Sequence, residues 1–299
     1  MEKQKTSTIQ RIFCATDFSG TAARAVSFAA DLAKKRDATL VLGHAVEPLP
    51  ADPYPILMTP RSGESAIREF AWAKLEEAGE ALRSDGVRVE LQLDVGLPGA
   101  QLVEMSSKAN ADVLVIGTRG QTGLVHLLFG STAEYVVRRS AIPVLTIHPE
   151  DNVGIGEMGR VLVPTDLSKD ASSAVDAFLS LFSESHLPKI DLVFVDSTPP
   201  YLESQSHERL ERYDQPDRRR VEIEEYLRPL VEKFEACGFE VSMRVLDGEA
   251  VEVITQYAKE KSVDLILMST HGRSALLNAL LGRTAQRVVQ HAPCPVLTV

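Results

Sequence analysis

From Asp112 to Ile147 the sequence reads DVLVIGTRGQTGLVHLLFGSTAEYVVRRSAIPVLTI, and this stretch decides the fold because it occurs twice. Moved on by 152 residues it lies over DLILMSTHGRSALLNALLGRTAQRVVQHAPCPVLTV, Asp264 to Val299, with 14 of 36 positions identical. Unrelated segments of ordinary composition would share about two. The beginnings of the halves repeat as well: Phe13-Cys-Ala-Thr-Asp17-Phe-Ser19 answers Leu162-Val-Pro-Thr-Asp166-Leu-Ser168. A chain of 299 residues that repeats itself in this way is a duplication of a unit of ordinary domain size. The expected domains are 1–150 and 151–299, joined by the linker Pro149–Gly159. Inside that linker, Gly154-Ile-Gly156-Glu-Met-Gly159 matches the G-x-G-x-x-G dinucleotide pattern. The pattern grips pyrophosphate only between a strand and the helix it opens. Arg160-Val-Leu-Val-Pro164 follows and reads as a strand, so the glycines are read as linker.

Within each half two periods alternate. Ile9–Ala15, Thr39–His44, Val87–Val95, Val113–Gly117 and Pro143–Ile147 are short apolar runs of strand type. Between them Ile67, Ala71, Leu75, Ala78 and Leu82 step by three or four, one face of an amphipathic helix. The second half repeats the step with Ile223, Leu227, Leu230, Phe234 and Cys237, where Pro229 is expected to kink or shorten the helix. Alternation of strands and helices with short connections implies a parallel sheet with right-handed crossovers and helices on both faces. Each half is therefore expected to be an α/β domain with a doubly wound, five-stranded parallel sheet. Pro48, Pro50, Pro53, Pro55 and Pro60 crowd the connection after the second strand, which reads as an irregular flap. Its counterpart, Ser197–Gln215, is polar and charged.

The residues that carry chemistry sit at the strand ends. Gly117 closes the fourth strand, Gly120 lets the chain turn without a Cβ, and Gly130-Ser131-Thr132 opens the last helix, expected over Ser131–Ala141. Backbone N–H groups at a helix start bind phosphate with the help of the helix dipole. Ser131 and Thr132 add hydroxyl donors, and Arg119 adds a charge-assisted contact. The competing reading is an ordinary strand-to-helix loop with Ser131 as N-cap. Position favours a ligand, since doubly wound sheets bind at the carboxyl ends of strands where strand order reverses. If strands one and four flank that reversal, Asp17 and Gly117 face one crevice. Asp17 suits an amino group of a base or a ribose hydroxyl, and Ser19 suits a helix N-cap.

The pattern G-x2-G-x9-G-[ST], preceded by T-D-x-S at the first strand, resembles the universal stress protein family in its ATP-binding branch. The resemblance covers nearly the whole chain as two copies. It implies sheets of strand order 3-2-1-4-5 and dimers built by pairing the last, edge strand of each unit. It also implies that Ala15, Thr16, Asp17 and Ala45 surround adenine, while Gly117, Arg119, Gly120, Gly130, Ser131 and Thr132 hold ribose and phosphates. Ala15 departs from the proline usual there, which Pro164 of the second half keeps. The second half departs further, with Ser269 for the first glycine and Arg283 for the helix-opening serine. Thr165, Asp166, Gly272, Gly282, Arg283 and Thr284 are thus expected to form at most a weak second site. Pro143–Ile147 and Pro295–Val299 are apolar edge strands, whose pairing within one chain would make a pseudo-dimer, with a homodimer as a further level.

Composition narrows the function. The formal net charge is −10, an acidic balance that disfavours nucleic acid and anionic lipid as partners. No apolar run approaches the roughly 20 residues of a membrane span. Cys14, Cys237 and Cys294 show no paired or metal-ligand spacing and fit a reducing cytoplasm. The histidines, among them His44, His126, His148, His186, His207 and His291, show no common ligand face, and no metal site is expected. A nucleotidase or kinase signature is absent: there is no G-x4-G-K-[ST], and Glu134 is the only carboxylate close in sequence to the loop. Glu134 reads as a helix-start acid. The expected function is an adenine nucleotide regulator that holds ATP, with Mg²⁺ carried in by the phosphates if at all, and with little or no turnover; the alternatives are a slow ATPase and a protein-interaction scaffold that binds no nucleotide.

Overall fold

A computed structural model describes residues 9–48, 60–119, 129–151, 158–167, 171–182, 187–197, 216–269 and 282–299, with backbone alone at 60–64 and 216–220. Contacts divide the chain into two compact units, Met1–Ile155 and Gly156–Val299. Unit 1 runs β1 (Arg11–Ala15), α1 (Gly20–Arg36), β2 (Thr39–Val46), α2 (Pro60–Ser84), β3 (Arg88–Val95), α3 (Pro98–Lys108), β4 (Val113–Gly117), α4 (Ser131–Arg139) and β5 (Val144–Ile147). Unit 2 runs β6 (Arg160–Thr165), α5 (Ala171–Phe182), β7 (Lys189–Asp196), α6 (Pro216–Ala236), β8 (Val241–Asp247), α7 (Ala250–Glu260), β9 (Leu265–Met268), α8 (Arg283–His291) and β10 (Val296–Thr298).

Each unit is a parallel doubly wound sheet. Strand order is β3-β2-β1-β4-β5 in the first and β8-β7-β6-β9-β10 in the second, both the expected 3-2-1-4-5. Central strands are buried on both faces, as apolar runs without polar alternation require: Ile12, Phe13, Cys14, Val113, Leu114 and Val115 have no exposed surface. The duplication extends to the backbone. Phe18 and Leu167 both take a left-handed φ of 63°, Asn110 and Ser262 both take 50°, and Gly86 and Gly238 take 82° and 90°. The first strand of each unit is anchored alike. Asp112 Oδ2 accepts from the N–H groups of Gln10 (2.7 Å) and Arg11 (2.9 Å), and Asp264 Oδ2 accepts from Gly159 (2.8 Å) and Arg160 (2.9 Å).

Several boundaries differ from expectation for local reasons. Pro60, placed in the flap from sequence, is the first residue of α2, a position where its missing N–H costs nothing. The other prolines of the flap beyond Pro48, and most of Ser197–Gln215, lie outside the described residues. Pro229 does not shorten α6, which runs on to Ala236. Its helix position leaves the carbonyl of Glu225 without a partner, and Glu225 and Pro229 are both exposed, so water can satisfy that group. Ile223, Leu227 and Phe234 meanwhile hold the other face in the core. Helix α4 stops at Arg139, two residues early, because the Ser140 hydroxyl donates to the Ile142 carbonyl (2.8 Å) and turns the chain toward β5. No helix among the described residues is long and apolar enough to cross a membrane.

Candidate functional site

The first strand of unit 1 ends in a tight turn. The Thr16 hydroxyl accepts from the N–H of Phe18 (3.1 Å), Asp17 Oδ1 accepts from the N–H of Ser19 (3.0 Å), and Ser19 Oγ caps α1 by accepting from Ala22 N–H (3.2 Å). Ser19 is thus the N-cap. The turn drives Phe18 to its left-handed φ, a conformation unfavourable for a bulky residue and held here by these three bonds. Across the sheet, Thr16 N–H donates to Gly43 O (2.9 Å), and the Thr16 carbonyl lies 2.8 Å from His44 Nδ1. His44 packs against Phe18 with ring centroids 4.7 Å apart. Gly43 is required by the core: a Cβ there would fall 2.2 Å from Phe13 Cζ.

The strand-to-helix connection supplies the other wall. A Cβ on Gly117 would stand 3.0 Å from Thr21 Cγ2 and 3.2 Å from the Thr21 carbonyl carbon, so a side chain there would have to push β4 and α1 apart by a few tenths of an ångström. Thr118 N–H donates to Ile147 O (2.8 Å), and Gly130 N–H donates to Thr118 O (2.8 Å), which draws the start of α4 back to the end of β4. Gly130, not Ser131, is the N-cap, and it brings no side-chain cap. The first N–H groups of α4 therefore keep their capacity to bind an acceptor, with the positive end of the helix dipole behind them. Beside them Arg119 Nε and Thr118 Oγ1 are buried with no hydrogen-bond partner among the described residues. Orphaned polar atoms of this kind are uncommon and point to a missing acceptor.

These walls enclose a cavity of about 510 Å³, within the usual range for small-molecule sites. Of the residues expected from sequence, Ala15, Thr16, Asp17, Ala45, Gly117, Arg119, Gly130, Ser131 and Thr132 all line it. Gly120 lies outside the described residues. Sequence reasoning missed part of the lining: Phe18, His44, Val46 and Glu47 from the first two strand ends, and Ile67, Phe70 and Lys74 from α2. His44, read only as a candidate metal ligand and set aside, belongs to the cavity wall. Ile67, expected in the core, is 38% exposed and lines the cavity instead. Its place in the i, i+3, i+4, i+7 series with Phe70, Ala71 and Lys74 was the available signal. Glu134 lies outside the lining and forms an ion pair with Arg138 at 3.1 Å. Cys14, one residue before the lining begins, is fully buried, and burial pushes its thiol far above the ordinary range.

In unit 2, Thr165 and Asp166 again end the first strand, and the Thr165 hydroxyl again accepts from Leu167 N–H (3.2 Å). Gly282 is again an N-cap without a side-chain bond, and Arg283 and Thr284, both exposed, open α8. Gly272 lies outside the described residues. Among the described residues no group of three His, Cys, Asp or Glu side chains is placed to hold a metal ion.

A cavity outside the carboxyl ends of β1 and β4, where strand order reverses, places the fold in the class of doubly wound domains that bind ligands at this switch point. The comparisons with known proteins agree. The model of the universal stress protein family matches residues 8–148 and again 158–299, and the chain belongs to that family, as two repeats. It is 26% identical over 299 residues to a universal stress protein of Mycolicibacterium smegmatis, with 96% of each chain covered. It is 29% identical over 143 residues to one of Methanocaldococcus jannaschii, covering 46% of this chain and 81% of the relative. The crystal structure of a universal stress protein from Archaeoglobus fulgidus shares the fold, with a TM-score of 0.69 at 20% identity over 96% of this chain and 97% of the other.

Proposed function

We propose that this stress-response protein is a regulator that binds ATP in unit 1 and uses the bound nucleotide as a signal. One observation carries the reading: the uncapped start of α4 at Gly130 and a buried Arg119 Nε, which has no acceptor among the described residues, line the same ligand-sized cavity. A phosphate would satisfy both. In this reading Ala15, Thr16, Asp17 and Ala45 receive the adenine, with the outer carboxylate face of Asp17 toward its amino group or the ribose. Gly117, Arg119, Gly120, Gly130, Ser131 and Thr132 hold ribose and phosphates. In the chemistry of phosphoryl transfer these groups are suited to ground-state phosphate, and Glu134 is engaged by Arg138 rather than set to hold a metal or position water. Mg²⁺, where present, arrives with the phosphates and their waters. Unit 2, with Ser269 and Arg283 in place of Gly117 and Ser131, binds weakly or not at all.

Titration calorimetry of the full chain with ATP is expected to give close to one site, and mass spectrometry of nucleotide released from freshly purified, denatured protein is expected to find an adenine nucleotide. Two equal sites would overturn the assignment to unit 1. In single-turnover experiments with excess protein and Mg²⁺, hydrolysis at about 1 s⁻¹ or faster would place the chain among ATPases instead.

A further inference from the structure

Helix α2 carries more apolar surface toward the cavity than its packing needs. Ala71 and Leu75 hold it on the sheet, at 6% and 0% exposure. Phe70 lies on the cavity wall at 64% exposure, with Ile67 one turn before it. Lys74 follows one turn later, its Nζ 5.0 Å from the Phe70 ring centroid and 5.8 Å from that of Phe18. A lysine ammonium over both rings is a cation–π arrangement, and it links the α2 wall to the one at the end of β1. Phe18 belongs to the latter: its backbone is locked by the turn at Thr16 and Asp17, and its ring rests on His44. The repeat offers a control. Gly86 and Gly238 fix the register of the two helices at a shift of 152, so Phe70 and Lys74 correspond to Glu222 and Tyr226, and Phe18 corresponds to Leu167. The fold therefore forms without this aromatic and cationic pair, and unit 1 has it in addition.

We propose that Phe70 and Lys74 of α2 are specificity-determining residues of the unit 1 site, closing over the base of the nucleotide opposite Phe18 and favouring a purine over a pyrimidine. The inference rests on the nucleotide reading of that site and deepens it. Aromatic stacking scales with the area of the base, so the two-ring purine gains more than a one-ring base from the Phe70 and Phe18 faces. The Lys74 ammonium adds attraction to whichever ring faces it and is separate from the Gly130 end, where the phosphates bind.

The test compares ATP with UTP, which shares the triphosphate, on the full chain by calorimetry. The wild type is expected to favour ATP. Phe70→Ala is expected to weaken ATP about 5- to 150-fold, the range for loss of one stacked base, and to change UTP much less. Lys74→Met is expected to weaken ATP and AMP by the same factor, and Lys74→Arg to restore binding. Phe70 is exposed, so an unchanged melting temperature confirms that the variant is folded. If the wild type binds ATP and Phe70→Ala binds it equally well, the α2 wall is wrong while the nucleotide site stands. If the loss in Lys74→Met grows from AMP to ATP, Lys74 is a phosphate contact and the base assignment fails. If the wild type binds neither nucleotide, the nucleotide reading itself falls, and this inference with it.

Discussion

The two units share backbone turns, strand order and strand anchors, yet they place their polar residues differently. At the amino end of β1, Arg11 donates to Glu90 on the edge strand β3, an ion pair at 2.5 Å whose carboxylate is 50% exposed. At the same place in unit 2, Arg160 donates to Asp191 on β7 at 2.7 Å, and Asp191 is only 1% exposed. Asp191 also accepts from the Ser242 hydroxyl (2.6 Å) and the Tyr257 hydroxyl (3.0 Å). At the carboxyl ends the contrast is reversed. Both units start the last helix at an uncapped glycine, but unit 1 follows it with Ser131 and adds an aromatic wall, and unit 2 follows it with exposed Arg283. The lesson is that a duplicated fold keeps its hydrogen-bonded turns, which the chain path requires, and lets the side chains at the two ends of the strands diverge. Unit 1 has a cavity at the carboxyl ends of its strands, and unit 2 has a buried polar cluster at the opposite end.

The largest effect expected from this contrast concerns Gly130. Its φ of −75° and ψ of 145° suit any residue, and aspartate is among the strongest N-caps. An added Cβ would stand 3.3 Å from Thr118 O, a contact that a small shift relieves. Gly130→Asp is therefore expected to fold with an unchanged or higher melting temperature. Its carboxylate takes the α4 N–H groups and repels phosphate, so ATP affinity should fall more than about 100-fold. The same change at Gly282, the cap of α8, should leave ATP binding as it was. Equal losses at both positions would break the functional asymmetry.

Next in size is the buried cluster. Burial alone would raise the Asp191 carboxyl, but the bonds from Ser242, Arg160 and Tyr257 outweigh it and hold the group below the ordinary carboxylate range. Asp191→Ala strands the polar groups of three partners, and the partial exposure of Arg160 moderates the effect to about 2–3 kcal/mol of unit 2 stability. Because the folded carboxyl is depressed, its contribution is present above the unfolded value near about 3.9 and is lost as pH falls through the folded value. The gap between wild type and variant in urea midpoint is expected to close in acid. The corresponding loss at Glu90→Ala is the smallest, below about 1 kcal/mol, as befits an exposed pair. A loss at Glu90 as large as that at Asp191 would show that burial does not separate the two.

Much of this organisation was legible in the residues. The repeat at Asp112 and Asp264, the apolar runs and the glycines at 117 and 130 carried the fold and the loop end of the candidate site, because apolar runs mark burial on two faces and the glycines mark the strand end and the helix start. The α2 wall was legible only as one face of a helix. Ile67 fits a core stripe as well as a cavity wall, and periodicity names the face of a helix without saying what lies beyond its last buried turn. Ser131 was a reasonable cap by residue type, but Gly130 is the cap and the helix starts at Ser131, where the expected span began. Pro229 illustrates a tertiary override: on an exposed face water can replace the lost backbone bond, and core contacts carry the helix through.

Cys14 turns the centre of unit 1 into a clock. Its side chain has no exposed surface, and with the thiol pushed far up by burial almost none of it is thiolate at neutral pH. An alkylating reagent reaches it only when β1 separates from its neighbours, so the labelling rate measures how often that strand opens. Exposed Cys237 reacts without any opening and serves as the internal reference. Any small molecule that stabilises the closed form by binding at the end of β1 must slow the reaction at Cys14 in proportion to its occupancy, which makes a single native sulfur atom a direct gauge of ligand affinity.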